Sequence, residues 1–310
     1  MHKVFIDGGH GTTGLRINEY LAGRDDIEVL SIDPEKRKDL GARVGMIMQA
    51  DVTILCLPDA AAAEIAAAAP NDSVIIDTST AHRTAPGWTY GMPELSAGQR
   101  EAIRNSTRIA NPGCHASGFI LLVKPLIDAG LLDSDALLTC FCMTGYSGGG
   151  KKMIASYEDP ERNGFLSSPG QYALGQSHKH LPEMVKMTGL SNAPCFSPVV
   201  ADFYSGMVMT VPLHSKLLKG MAGLSDVKKA LRGSYDGEAL ITVRDEAPES
   251  GTVYSNPMSG SNGMEIYVTG NDERMLLIAS YDNLGKGASG AAVQNMNIVL
   301  GAEETAGLIH

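Results

Sequence analysis

Val4-Phe5-Ile6-Asp7-Gly8-Gly9-His10-Gly11-Thr12-Thr13-Gly14 reads as a short apolar strand running into a glycine turn. Leu15, Ile17 and Leu21 follow at helical spacing, so the stretch predicts strand, turn and helix in succession. Glycines there let a backbone approach a pyrophosphate at a helix N-terminus, where unpaired N–H groups and the helix dipole favour an anion. Gly8, Gly11, Thr12, Thr13 and Gly14 are therefore the expected cofactor cradle, with Gly11 taking a positive φ against the pyrophosphate.

The same alternation continues outward. Ile27 to Ile32 is a second strand ending at Asp33, an acid placed to bind a ribose 2′-hydroxyl. Lys36, Arg37 and Lys38 come directly after and suit a 2′-phosphate instead, so these residues leave NAD and NADP both open. Val52 to Leu57 is a nearly continuous apolar run, as a buried parallel strand requires. An alanine-rich helix from Ala60 to Ala69, a strand from Ser73 to Asp77 and a short strand from Thr107 to Ala110 complete the series. Alternating strands and helices predict an α/β fold, a Rossmann-type doubly wound parallel sheet. Ligands in such sheets bind beyond the carboxyl ends of the strands. Ser79 and Arg83 leave a strand there, Ser79 as a cofactor contact and Arg83 as a holder of a substrate carboxylate or phosphate.

The last of these strands delivers the chain to Asn111-Pro112-Gly113-Cys114-His115, followed by the apolar run Phe119 to Val123. Pro112 and Gly113 make a turn, which puts Cys114 at a helix N-terminus. There its thiol is acidified and the thiolate is a nucleophile, while the first-turn N–H groups can hold an oxyanion.

Beyond about Leu132 the pattern changes. Strand-like runs recur at Ala136 to Met143, Phe196 to Ala201, Met207 to Val211, Leu240 to Val243, Met264 to Val268 and Met275 to Ala279, with few helices between them, so a mostly antiparallel α+β domain is expected. Gly145 to Lys152 reads as a glycine loop carrying Ser147 and a cation, able to cup an anion. In His178-Lys179-His180-Leu181-Pro182-Glu183, Pro182 biases Leu181 toward an extended lead-in, which would point His178 and His180 the same way. A general base for cysteine chemistry suits this cluster. No third ligand stands at zinc spacing, so no metal is expected. Asp282 to Gly290, with Asn283 and Lys286, opens a small-residue helix from Ala291 to Leu300, suited to close approach of a cofactor or another helix.

The 310 residues suggest one large domain or two ordinary ones, with 44% hydrophobic residues for a core. A formal net charge of -10 argues against a nucleic-acid or basic membrane-surface partner. No run reaches the roughly 20 apolar residues of a bilayer span. The start turns polar too early for a signal peptide. Five cysteines without regular spacing make no disulfide framework, so cytoplasmic residence is expected. Cys140 and Cys142 are read as core.

The sequence resembles the shorter form of the N-acetyl-gamma-glutamyl-phosphate reductase family along its whole length. The resemblance is carried by Asn111-Pro112-Gly113-Cys114, His178 to Glu183, Asp282-Asn283-Leu284 with Lys286-Gly287-Ala288, Gln294 to Asn297, and less specifically the turn from Gly8 to Gly14. It implies an NADP-dependent reductase of an acyl phosphate in arginine biosynthesis, with the fold shared by aspartate-semialdehyde and glyceraldehyde-phosphate dehydrogenases. It implies Cys114 as nucleophile and His180 as acid/base. Arg83, His178, Ser147 and Glu183 are expected near the substrate, and Gly8, Gly11, Thr12, Thr13, Gly14, Ser79, Asn283 and Lys286 near NADP. Three segments follow: an NADP-binding domain over 1–114, a catalytic and dimerisation domain over 115–284, and a C-terminal helix over 285–310 returning to the first. A homodimer or homotetramer is expected. Two departures stand out. Ser205 occupies the place of an arginine in the longer form, and His115 follows the nucleophile where the longer form often has tyrosine. Aspartate-semialdehyde dehydrogenase is the nearest rival, but its late histidine segment is led by an arginine that Val211-Pro212-Leu213-His214 lacks. A non-enzymatic redox sensor is the other.

Overall fold

In the computed structural model, which describes all of residues 1–310, the chain forms two compact units. The first comprises 1–113 with 288–308, the second 114–287 with 309–310.

The first unit is built on six parallel strands: β1 (His2–Asp7), β2 (Ile27–Leu30), β3 (Val52–Leu55), β4 (Ile75–Asp77), β5 (Thr89–Tyr90) and β6 (Arg108–Ala110), in the order β2-β1-β3-β4-β6-β5. Between them come α1 (Thr12–Leu21), α2 (Leu40–Ile47), α3 (Asp59–Ala68) and α4 (Gln99–Arg104). The strand order reverses between β1 and β3, which puts the topological switch point at the end of β1. β3 and β4 are buried throughout, which explains their unbroken apolar sequence.

The turn after β1 has a specific backbone demand. Gly8 has φ +86°, and a Cβ there would collide with the Cys56 carbonyl oxygen. A Cβ on Gly14 would lie 2.6 Å from the Gly9 Cα. Gly11 differs from expectation: its φ is −73°, and a Cβ would meet nothing closer than 3.4 Å. The strain of the turn is therefore taken by Gly8, while Gly11 is simply the N-cap of α1.

The second unit opens with α5 (Cys114–Asp128) and holds a seven-stranded mixed sheet. Its strands are β7 (Thr139–Gly145), β8 (Gly170–Gln171), β9 (Cys195–Ala201), β10 (Met207–His214), β11 (Ile241–Val243), β12 (Met264–Gly270) and β13 (Arg274–Tyr281), ordered β11-β12-β13-β10-β7-β9-β8. Only the β11–β12 and β7–β9 pairs are parallel. α6 (Gly150–Glu158), α7 (Leu181–Thr188) and α8 (Leu224–Tyr235) complete it. α5 packs on α7, α8, β10 and β13 and is buried almost all round, as its uniformly apolar sequence requires.

Two local expectations are corrected. The glycine stretch from Gly145 is a 3-10 turn (Tyr146–Gly149) that runs straight into α6, with no open loop. The lead-in to His180 is a turn closed by Leu181 N–H on the His178 carbonyl at 3.0 Å. Pro182 sits in the first turn of α7, where its missing N–H costs nothing.

The chain returns to the first unit as α9 (Gly290–Leu300), which lies against α1, α4, β3 and β4. The segment 285–287 belongs to the second unit. Asn297 Oδ1 accepts from Arg24 at 2.6 Å, and Gln294 donates to Glu94 and Glu304, each at 2.8 Å.

Gly8→Ala should lower stability to urea by more than about 2 kcal/mol, whereas Gly11→Ser should change it by less than about 0.5 kcal/mol. Equal urea midpoints for the two variants would show that the turn does not depend on the backbone of Gly8.

Candidate active site

In the first unit, the carboxyl ends of β1 and β2 border a cavity of about 450 Å³ lined by Gly8, Gly9, His10, Asn18, Ser31 and Arg37 among others. α1 begins at its rim with no side chain capping its first turn. Asp33 does not line the cavity: its carboxylate caps the 3-10 turn Pro34–Lys36 by accepting from Glu35 N–H at 3.0 Å. An Asp-Pro pair is a turn starter, and one carboxylate oxygen of Asp33 serves that turn. Of the three cations that follow, Arg37 alone lines the cavity.

The β4 loop is tied down from within. Asp77, fully buried, accepts from Ser79 N–H at 2.9 Å, from the Ser79 hydroxyl at 2.7 Å and from His82 at 2.6 Å. The His82 ring lies stacked on Trp88 at 3.9 Å. Ser79 thus donates its hydroxyl proton to Asp77 within the loop. Arg83 is buried, with Nε on the Asn111 carbonyl at 2.9 Å and Nη2 on the Thr78 carbonyl at 3.0 Å. It braces the turn that leads to Cys114.

In the second unit Cys114 is the first residue of α5 and half-buried. Its carbonyl accepts from the Tyr281 hydroxyl at 2.6 Å. A Cβ on Gly287 would stand 2.9 Å from Cys114 Cβ, so the small residues after Asp282 make their close approach to Cys114 itself. Lys286, in the same π-turn, is buried.

Three histidines gather in this unit. The His115 ring lies 5.4 Å from His178 and 5.5 Å from His180, and the latter two are 4.7 Å apart. They differ in what holds them. His115 is buried with Nδ1 at 3.2 Å from Cys142 Sγ and Nε2 at 2.6 Å from the Tyr172 hydroxyl. Burial, reinforced by His178, pushes its imidazole down to about 3. Burial, with Cys114 and Cys140 nearby, pushes the Cys142 thiol well up. His115, whose role the sequence left open, is therefore a neutral structural ring. His178 Nδ1 accepts from His180 N–H at 3.1 Å, which makes Nε2 the protonated nitrogen of its neutral form. His180 is buried at the N-cap of α7, and Glu183 is buried in the first turn of that helix, where the dipole favours a carboxylate.

Ser147 and Asn283 come together, though not as expected. Asn283 is buried, with Nδ2 on Ser147 Oγ at 3.0 Å and Oδ1 accepting from Gly206 N–H at 2.9 Å. Its amide ties two loops of the second unit together. Ser205 is likewise internal, paired with the Ser259 hydroxyl. His214 is exposed at the end of β10. Sequence reading missed Tyr172, Tyr281 and Gln176, whose side-chain amide pairs with both Phe196 N and O, at 2.9 and 2.7 Å. None has a local pattern that marks it.

Residues 3–106 match the semialdehyde dehydrogenase NAD-binding domain, and 114–283 match the semialdehyde dehydrogenase dimerisation domain. Among curated proteins, N-acetyl-gamma-glutamyl-phosphate reductase of Brucella anthropi is 46% identical over 96% of this chain and 98% of its own length. The Brucella ovis protein of the same name is 44% identical over 96% and 99%. The chain belongs to the N-acetyl-gamma-glutamyl-phosphate reductase family. Among solved structures, aspartate semialdehyde dehydrogenase II of Vibrio cholerae has a TM-score of 0.71 at 17% identity, covering 97% of this chain and 98% of that one. The Francisella tularensis aspartate semialdehyde dehydrogenase scores 0.72 at 14%, covering 97% and 100%. These two share the fold. Membership in the family makes Cys114 and the histidine cluster the place to look for the chemistry.

Because the unfolded His115 imidazole takes a proton near 6.5 and the folded one near 3, the unfolded chain binds more protons between those values. Stability therefore falls as pH drops through that window. His115→Gln should lose this component, making the acid side of the stability–pH curve shallower by up to about 1.4 kcal/mol per pH unit. Parallel curves for wild type and variant would show that the ring is not held neutral.

Proposed function

We propose that the chain catalyses the NADPH-dependent reductive dephosphorylation of N-acetyl-gamma-glutamyl phosphate to N-acetylglutamate semialdehyde, through a thioester on Cys114. The observation that carries this reading is a half-buried cysteine at the start of α5, in the same unit as the paired His178 and His180, in a chain of this family.

The first-turn N–H groups of α5 stabilise the Cys114 thiolate. Sγ attacks the γ-carbonyl carbon, the same N–H groups take the oxyanion, and the C–O bond to phosphate breaks. The thioester so formed splits one hard step into two. The nicotinamide, when bound, supplies the hydride that reduces the thioester carbonyl. His180 gives a proton to that oxygen and takes it back as the C–S bond breaks, releasing the aldehyde and the thiolate. Glu183 supports the His180 imidazolium from the first turn of α7. His178, with Nδ1 occupied by a backbone N–H, serves as an Nε2–H donor to substrate. Ser147, placed by Asn283, joins it. Arg83 brings a cation to the strand ends where ligand phosphates bind.

For the cofactor, Gly8 and Gly14 keep side chains out of the turn before α1, and Arg37 lines the cavity beyond β2. A guanidinium in that place is suited to a 2′-phosphate, which favours NADP. The active species we infer is a cytoplasmic homodimer or homotetramer assembled through the 114–283 region.

Phosphate-dependent reduction of NADP with N-acetylglutamate semialdehyde tests the reaction, with aspartate semialdehyde as the contrasting substrate. Cys114→Ser should lose essentially all turnover while binding NADP normally, and His180→Asn should lower kcat by about a hundred- to ten-thousand-fold. Faster turnover of aspartate semialdehyde, or an active Cys114→Ser protein, would overturn the reading. Arg37→Ala should weaken NADP binding by about tenfold or more, the loss of one charge-assisted contact, and leave NAD binding unchanged. Titration of the variant with both dinucleotides measures this, and equal weakening of the two would remove Arg37 from the 2′-phosphate.

A further inference from the structure

Tyr281, the last residue of β13, is fully buried. In the sheet it lies between Met207 of β10 and Met264 of β12, and its ring reaches the start of α5. The hydroxyl donates to the Cys114 carbonyl at 2.6 Å and accepts from Gly118 N–H at 3.2 Å. It thus spans the two ends of the first helical turn, the turn whose N–H groups face the reacting carbonyl in the mechanism above. The approach is possible because residue 118 lacks a side chain: a Cβ there would lie 2.6 Å from the Tyr281 hydroxyl and 2.9 Å from Met209 Cβ.

The same chain segment closes on Cys114 from a second side. Gly287 N–H donates to the Asp282 carbonyl at 3.0 Å, and this turn brings Gly287 against Cys114 Cβ. Asp282 is itself fixed, one carboxylate oxygen on Gly260 N–H at 2.7 Å and the other on Leu284 N–H at 3.0 Å. The carbonyl of Cys114 is therefore held by a phenol and its Cβ by a backbone, and both come from residues 281–287.

We propose that Tyr281 is a positioning residue for Cys114, its hydroxyl fixing the peptide that sets the direction of the thiol relative to the first-turn N–H groups of α5. Burial, with Cys142 and Cys114 nearby, pushes the phenol well up, so it stays a donor at every working pH. The inference rests on Cys114 being the nucleophile, and its test separates the two ideas.

The measurement is the pH dependence of iodoacetamide alkylation at Cys114 in the apo protein, read by mass spectrometry of the labelled peptide, together with kcat and KM. Tyr281→Phe keeps the ring and removes the hydroxyl. With one neutral hydrogen bond lost, the thiol midpoint should move up by about half to one pH unit and kcat fall by about five- to tenfold. KM should stay within about twofold, because substrate contacts are untouched. A purely structural role would lower the melting temperature and leave the alkylation midpoint in place, and that result overturns the proposal. Should Tyr281→Phe fail to fold, 3-fluorotyrosine placed at 281 keeps the hydroxyl as a stronger donor and should move the midpoint the opposite way. An unmoved midpoint there overturns it equally. Failure of the nucleophile reading looks different: Cys114→Ser would remain active whatever Tyr281 does.

Discussion

The buried amide of Asn111 uses every polar atom it has. Its backbone N–H donates to the Asp77 carbonyl at 2.8 Å, and its carbonyl accepts from Arg83 at 2.9 Å. Its side chain donates to the Ala288 carbonyl at 2.9 Å and accepts from Asn295 at 3.2 Å. The residue has no exposed surface, so each bond lost would strand a partner at about 1–3 kcal/mol. This one position joins the end of β4, the β4 loop and the start of α9. It fixes where β6 stops, and the next turn carries the chain to Cys114. Arg83 belongs to the same knot, which gives it a reason to be arginine before any ligand arrives.

The histidine cluster shows how similar residues are given different work by their surroundings. His115 is held neutral by burial, reinforced by His178, with its ring nitrogens on Cys142 and Tyr172. His178 has one nitrogen committed to a backbone donor, so it can offer a proton but not receive one there without breaking that bond. His180 sits at the head of α7 with a buried carboxylate in the following turn. Proton transfer is best served by a ring beside a group that stabilises its charged form. In the reading proposed above, that criterion favours His180 over its neighbours.

What the sequence disclosed followed the range of the physics. The strand and turn of residues 4–14, the apolar β3 and the apolar run of α5 are set by local periodicity and turn chemistry, and they stand as read. Partners far apart in the chain were not legible. Asn283 meets Ser147 across 136 residues, and Tyr281 meets Cys114 across 167; no local pattern encodes such pairs. Local competition accounts for the other differences. Asp33, one of two openings the sequence left for the ribose end of the cofactor, caps its own turn. Pro182 was read as giving His180 an extended lead-in, where it is a first-turn residue of α7. Gly11 was given a strain that Gly8 bears, because a glycine-rich turn does not announce which glycine has the positive φ.

The neutrality of His115 bears directly on the thiol beside it in sequence. α5 is buried nearly all round, so the polar ends of its first turn have little water to turn to and must find partners in the protein. In such a setting each oriented dipole acts strongly. The first-turn N–H groups already favour a thiolate at Cys114. A permanent imidazolium at position 115 would favour it further, at the cost of burying a second charge. It would also work against the reaction, since a thiolate loses intrinsic nucleophilicity as its pKa falls. Burial, reinforced by His178, keeps that charge away. In the reading proposed above, fixed dipoles alone stabilise the Cys114 thiolate, and the proton that the reaction needs is left to His180, at the head of α7.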